Sequence, residues 1–442
     1  MRAEWARHVI WWQVYPLGFL GAEGSAVEST TPRLRGLEPW LDHVVELGAN
    51  GLALGPVFAS STHGYDTTDH LSIDSRLGTE DDLVALAEAC HARGVRLQLD
   101  GVFNHVGREF PAFRDVIENG AASPYASWFH LDFDRTGPDG FAYRSFEGHD
   151  SLVALNHDSP EVVEHVTRVM SYWCERGVDS WRLDAAYAVP PRFWAAVLPE
   201  VRAHHPDVWV SGEMIHGDYA AYVRASGVDS VTQYELWKAV WSSLNDRNLF
   251  ELAHALSRHA ALLPTFLPQT FVGNHDVTRI ATQLSDERHL ALALAVLFAV
   301  PGVPSVYYGD EEGLHGVKEH RYGGDDAIRP AYPATPAALD RSGAGVHDLH
   351  RELIALRRRH AWLNDATIME PDVLRNDFLA FRLAAGNDVM AVALNAGDSP
   401  VVAELPLTGK VLAGAGDSDQ ISERTTRVTV APHGFVAVGE GR

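Results

Sequence analysis

The sequence predicts an α/β protein: a (β/α)8 TIM barrel with a short subdomain inserted after the third strand and a C-terminal antiparallel β-sandwich. Three observations carry the prediction. Eight short apolar, β-branched runs alternate with longer helical patterns over most of the chain. One connection, residues 105–157, far exceeds the roughly two to six residues usual between strand and helix. Beyond residue 362 the helical pattern stops and apolar–polar alternation with turns takes over.

The strand candidates, in order, are VIWWQVYP (9–16), NGLALGP (50–56), VRLQLD (95–100), VDSWRLD (178–184), VWVSGE (208–213), VDSVTQY (228–234), TFVGNHD (270–276) and VPSVYYGD (303–310). Helical segments between them include EPWLDHVVELGA, TEDDLVALAEACHARG, SPEVVEHVTRVMSYWCERG and DERHLALALAVLFAV. Thr79 and Ser159 stand where N-caps belong, and Gly94 and Gly177 where helices stop. A doubly wound open sheet would carry a glycine-rich loop after its first strand, and the sequence has none. The barrel is assigned to 1–105 and 156–362, and the inserted subdomain, with its RTGPDG turn, to 106–155. Residues 363–442 form the β domain, with strands in DFLAFRLAAG, DVMAVALNAG, RTTRVTVAP and HGFVAVGE.

Charge narrows the function. The 442 residues hold 36 Lys+Arg against 59 Asp+Glu, a net charge of -23. Such a surface repels nucleic acid and anionic membranes and tolerates a neutral ligand such as a sugar. Cys90 and Cys174, both in helical patterns, read as two buried free thiols. The N-terminus lacks a basic start followed by an apolar stretch, and LALALAVLFAV is too short to span a bilayer. The expectation is a cytoplasmic protein that engages neither membrane nor nucleic acid.

Acidic and basic residues gather at the C-terminal ends of the strand candidates, the face where barrels place their sites. The third ends in Asp100, with Asn104 and His105 beyond; the fourth ends Arg182-Leu183-Asp184; the fifth ends in Glu213; the seventh ends Asn274-His275-Asp276. Arg182 and Asp184, two apart, project to one side, so the arginine should keep the aspartate ionised. Asp184, Glu213 and Asp276 match the needs of glycoside hydrolysis: a nucleophile, a proton donor and a carboxylate that steadies a cationic transition state. Repulsion among clustered carboxylates would raise one of their pKa values. No histidine has metal-ligand spacing such as HExxH, and none is read as a ligand.

DGVFNH (100–105), GVDSWRLD (177–184), GEM (212–214) and FVGNHD (271–276) resemble the four main motifs of the alpha-amylase family, glycoside hydrolase family 13. GVPSVYYGDE (302–311) and HGYDTTDH (63–70) resemble two further stretches of it. The resemblance implies Asp184 as nucleophile, Glu213 as acid/base and Asp276 as transition-state stabiliser. It implies His63, Tyr65, His105, Arg182 and His275 as contacts to the sugar at subsite -1. The inserted segment and LVALNHDSPEV (152–162), with Asn156, look most like the cyclomaltodextrinase, neopullulanase and maltogenic amylase group. GGDDAIRP (323–330) resembles that group's loop in which an Asp and an Arg, here Asp325 and Arg329, bind sugar at subsite -2.

Departures fall on the leaving-group side. Tyr187, Met214 and Ile215 stand where that group contacts the plus subsites with other residues, and Thr62 replaces an Asp that grips a non-reducing end. The chain opens at the first barrel strand, so the group's N-terminal dimerisation domain is not expected, and the oligomeric state stays open. No cofactor is implied as required; calcium is possible, with Asn104 its candidate ligand, or else Asn104 holds the loop near Asp100. The function implied is retaining hydrolysis of alpha-1,4 and alpha-1,6 glucosidic bonds in malto-oligosaccharides or cyclic glucans. The alternatives are a transglycosylase or glucosyl isomerase using the same site, and a non-catalytic sugar binder.

Overall fold

The structure, a computed structural model, describes residues 3–24, 30–137, 139–321 and 323–440. Pro138 of the expected RTGPDG turn and the ends of the chain lie outside them.

All eight strand candidates form strands of one parallel sheet: β1 (Trp11–Val14), β2 (Gly51–Leu54), β3 (Arg96–Gly101), β4 (Ser180–Leu183), β5 (Trp209–Gly212), β6 (Ser230–Val231), β7 (Gln269–Phe271) and β8 (Val303–Tyr307). Their spatial order is β6-β5-β4-β3-β2-β1-β8-β7. A single parallel bridge, Thr232 to Gln269, joins β6 to β7 and closes the ring. Each strand stops several residues short of the expected apolar run or just at its charged end, because the residues beyond turn outward as loops on the C-terminal face.

Helices cover the outside. The helix Glu80–Ala92 starts in a full capping box: Thr79 Oγ1 and the Asp82 carboxylate each take the other's backbone N–H. Ser159 also precedes a helix, Pro160–Cys174, but makes no cap bond; its hydroxyl donates to Glu161 Oε2 at 2.6 Å instead. The expected cap there is corrected to a proline start, since Pro160 at the first position has no N–H to satisfy. The helix Leu290–Ala299 is apolar on every side because it lies between the barrel and the strands Asp388–Asn395 and Gly434–Gly439. It is buried protein, and no helix among the described residues is long and apolar enough to cross a membrane.

The long connection after β3 folds as a helix (Pro111–Asn119) and a three-stranded antiparallel sheet of His105–Gly107, His149–Ala154 and Ser145–Phe146. The C-terminal segment forms two antiparallel sheets around an apolar layer of Phe378, Ala391, Leu405, Val428, Val436 and neighbours. Seven of the 12 tryptophans, Trp12 and Trp40 stacked among them, are fully buried, so the aromatic content serves the core. Cys90 is buried and Cys174 only half-buried; both are free.

The two helix starts should respond differently to alanine. Thr79→Ala removes a cap and is expected to cost about 0.5–2 kcal/mol in urea unfolding, whereas Ser159→Ala should stay within about 0.5 kcal/mol.

Candidate active site

Strand register assembles the centre of the site. Parallel pairing sets Arg182 beside Asp100 on one flank and beside Ser211 on the other, with Leu183 beside Gly212. The ladder runs one step further, as Glu213 N–H donates to Leu183 O at 2.9 Å, so Asp184 and Glu213 leave adjacent strands side by side. The Arg182 guanidinium lies among three carboxylates: Asp100 at 2.5 Å, Glu213 at 2.8 Å and Asp184 at 3.4 Å. All four side chains are at least nine-tenths buried. Ala185, directly after Asp184, sits at φ 45°, and this left-handed turn aims its N–H at Glu213 Oε2, 2.9 Å away. Tyr234 donates to the other oxygen at 3.3 Å and is itself held by Asn274 Nδ2 at 2.9 Å.

One cation among three carboxylates leaves an excess of negative charge. Burial and the neighbouring Glu213 push Asp184 well above the usual carboxylate range, against the pull of Arg182. Burial likewise raises Asp100 to about 7. The expectation that Arg182 keeps Asp184 ionised is therefore corrected: the guanidinium is divided, and its closer contacts go to Asp100 and Glu213.

Asp276 is neutralised separately. Burial opposes its charge, but His275, Arg329, Arg182 and Lys318 outweigh it and hold the carboxyl below the usual range. Arg329 Nη2 lies 2.9 Å from Asp276 Oδ1 and 2.9 Å from Asp325, while its Nε donates to His275 O at 2.9 Å. Arg329 is only 7% exposed, which makes it a buried brace for Asp276 rather than a free surface group. A Cβ at Gly273 would collide with the Asp310 carboxylate, so only glycine lets the Asn274-His275-Asp276 loop pass there.

Two histidines are fixed as neutral rings. Gln13 Nε2 donates to His275 Nδ1 at 3.2 Å, which places the proton on Nε2, facing Tyr65 Oη and Asp276. His275 is sandwiched between Tyr15 and Tyr65, with ring planes within 4° of each. His105 Nε2 donates to Tyr65 O at 3.1 Å and its Nδ1 accepts from Asn104 at 3.1 Å. His63 lies beside Tyr65, its carbonyl accepting from Tyr15.

The remaining candidates divide. Tyr187 donates to Glu147 at 2.8 Å and lies between Phe146 and His216. Ile215 is 40% exposed and lines a surface groove of about 520 Å³ with Tyr234 and Trp237. Met214 is not brought there: it is 4% exposed and packs into the core. Sequence reading left out Gln13, Tyr15, Tyr234 and Phe146. Tyr234 ends the sixth strand candidate, so the strand-end rule would have found it; Phe146, stacked 4.6 Å from His105, lies in the insert and gave no such signal.

Charged side chains at the C-terminal rim of a closed parallel barrel, with carboxylates crowded on one arginine beside a separately stabilised carboxylate, define a barrel hydrolase that works by acid/base and nucleophilic chemistry. A family model described as "Alpha amylase, catalytic domain" matches residues 13–331. A cyclomaltodextrinase of Geobacillus thermopakistaniensis is 31% identical over 98% of this chain and 77% of its own length. An intracellular maltogenic amylase of Bacillus subtilis is 29% identical over 89% of this chain and 69% of its own. Among solved structures, the cyclic alpha-maltosyl-(1→6)-maltose hydrolase of Arthrobacter globiformis superposes with a TM-score of 0.84 at 28% identity, covering 99% of this chain and 100% of that one. The chain belongs to the alpha-amylase family. It is a glycosidase.

Two predictions follow from the electrostatics. Arg182→Gln leaves buried carboxylates uncompensated and should lower stability by about 3–5 kcal/mol in urea unfolding. Burial depresses His105 and His275 to about 3. An unfolded histidine protonates near pH 6.5, so between roughly pH 6.5 and 3 the unfolded chain binds protons that the folded rings refuse. Stability is lost as pH falls through that window. His105→Gln should make the slope shallower by up to about 1.4 kcal/mol per pH unit, read from unfolding curves at stepped pH.

Proposed function

We propose that this protein hydrolyses alpha-1,4 and alpha-1,6 glucosidic bonds of short or cyclic malto-oligosaccharides with retention of configuration. The observation that carries the reading is the side-by-side emergence of Asp184 and Glu213 around Arg182, with Asp276 ionised on its own supports. In this reading Glu213 is the proton donor and Asp184 the anionic nucleophile. Glu213 protonates the glycosidic oxygen as Asp184 attacks the anomeric carbon from the opposite face. The positive charge that develops on the ring is stabilised by Asp276, whose charge is already compensated and needs no rearrangement. Water, deprotonated by Glu213, then releases the sugar from Asp184.

Tyr65, His105 and His275 are placed to line the ring at subsite -1, with His63 beside them. Asp325 and Arg329 flank Asp276 toward subsite -2, and Tyr187 and Ile215 lie on the leaving-group side. Mixed linkage preference is supported by the relatives' names, one of which specifies a maltosyl-(1→6)-maltose ring. A cytoplasmic site of action fits the free cysteines and the name of the Bacillus subtilis relative.

Asn104 does not make a fitting calcium ligand here. It lines a cavity of about 300 Å³ shared with His130, Arg144, His157 and Arg192, and Asp158 there is taken twice by Arg192. Calcium requires roughly six to eight oxygens; His130, Arg144, His157 and Arg192 offer only nitrogens, and the carboxylates of Asp158 and Glu147 are engaged by Arg192 and Tyr187. Fastening His105 is the role its amide serves.

The roles of the two acids separate by leaving group. Glu213→Gln should slow maltotriose hydrolysis by about 10²–10⁴-fold yet lose far less on a dinitrophenyl glucoside, which departs without protonation. Asp184→Asn should lose turnover on both. Equal losses for the two variants on both substrates, or a beta-configured first product by NMR, would refute the assignment. Chromatography of products from beta-cyclodextrin, pullulan, panose and concentrated maltotriose sets the linkage range, and longer or isomeric sugars as main products would mark a transglycosylase instead.

A further inference from the structure

A second group of chemically capable side chains lies outside the barrel, where its first and last helical layers meet. His43 comes from the helix Leu41–Leu47, Glu312 from the turn Asp310–Glu312 after β8, and His347 from the helix Ala344–Arg359. One ring nitrogen of each histidine and one oxygen of Glu312 lie within 4.8 Å of one another. His347 Nδ1 is already 2.8 Å from Glu312 Oε1, and the two imidazole centroids are 5.3 Å apart. The three side chains are only 6–12% exposed: shielded, but not sealed from the surface.

Two polar atoms in this neighbourhood are buried without a hydrogen-bond partner, Glu312 Oε2 and His350 Nε2. Such groups are costly unless something completes them. His350 is one helical turn beyond His347 and thus on the same face. Its Nδ1 donates to Val346 O at 3.0 Å, so Nε2 carries a bare lone pair, the tautomer of a metal-binding imidazole. The adjacent Glu311 is saturated by Trp12, His43 and the Gly309 N–H, which leaves Glu312 as the carboxylate with spare capacity.

We propose that His43, Glu312 and His347 form a binding site for a divalent transition-metal ion, zinc in particular, with the fourth position taken by water. Two imidazoles and a carboxylate suit zinc's borderline character; calcium and magnesium require more oxygens, and copper(I) requires sulfur. The ion would tie the helix after β1 to the helix after β8, joining residue 43 to residue 347 across nearly the whole barrel. A clip over so long a loop removes much of the unfolded chain's freedom. The ion touches none of the acids at the rim, so its effect is on stability. The other histidine-carboxylate group among the described residues, Asp286 with His289 and His433, is a weaker candidate, because Arg288 occupies both Asp286 oxygens.

The test is titration of chelator-stripped protein with zinc chloride by calorimetry, repeated with cobalt(II) to read coordination from its visible absorption. The expected result is one ion per chain, a four-coordinate cobalt spectrum and a raised Tm on zinc addition. His347→Ala and the near-isosteric Glu312→Gln should each weaken binding by more than about 100-fold, while His433→Asn should leave it unchanged. If His347→Ala fails to fold by circular dichroism, Glu312→Gln decides. Absence of stoichiometric binding, binding that survives Glu312→Gln, or binding lost with His433→Asn would overturn the proposal.

Discussion

The site depends on one guanidinium serving more carboxylates than it can neutralise. Arg182 meets Asp100, Asp184 and Glu213, which arrive from three successive strands; parallel register brings Asp100 and Glu213 to it, and alternation along its own strand brings Asp184. Had the cation been matched to a single acid, that acid would be locked in its ionised form. Divided as it is, it matches none of them fully, and burial raises Asp100 and Asp184 above the usual carboxylate range. Asp276 stands apart from these because Arg329 supplies a cation of its own and the neutral His275 turns its Nε2–H toward it.

The two sides of the rim are built differently. Toward Tyr65, His105 and His275, rings are stacked, tautomers are fixed and donors are paired, so this side of the rim is preorganised. On the other side, Tyr187 leans on Phe146 and Glu147 of the insert and Ile215 is exposed over a groove.

Much of this was legible because period and position carry it. Short apolar runs with charged ends announce both a barrel and its functional rim. Residues whose importance lies in what they hold were less visible. Arg329 reads as one half of an i,i+4 surface pair, yet its main partner is Asp276, 53 positions away. Met214 follows Glu213 in sequence but turns into the core, since direction after a strand end depends on the loop and not on the alternation. The division of Arg182 among three acids required knowing which strands are neighbours. His43, Glu312 and His347 show no ligand spacing because each comes from a different element.

The closing joint of the barrel has a consequence for how such a protein changes over generations. β6 contributes two residues, and a lone bridge from Thr232 completes the ring with β7. Tyr234, which steadies Glu213, follows two residues later, at the edge of the groove on the leaving-group side. Elsewhere the ring is fastened by several paired residues per strand, and a length change there would shift Arg182 against its carboxylates. At this joint a residue gained or lost displaces little of the ladder. Tyr234 sets the limit to such change: because it also holds Glu213, a shift in the segment after β6 reshapes the groove and the acid together.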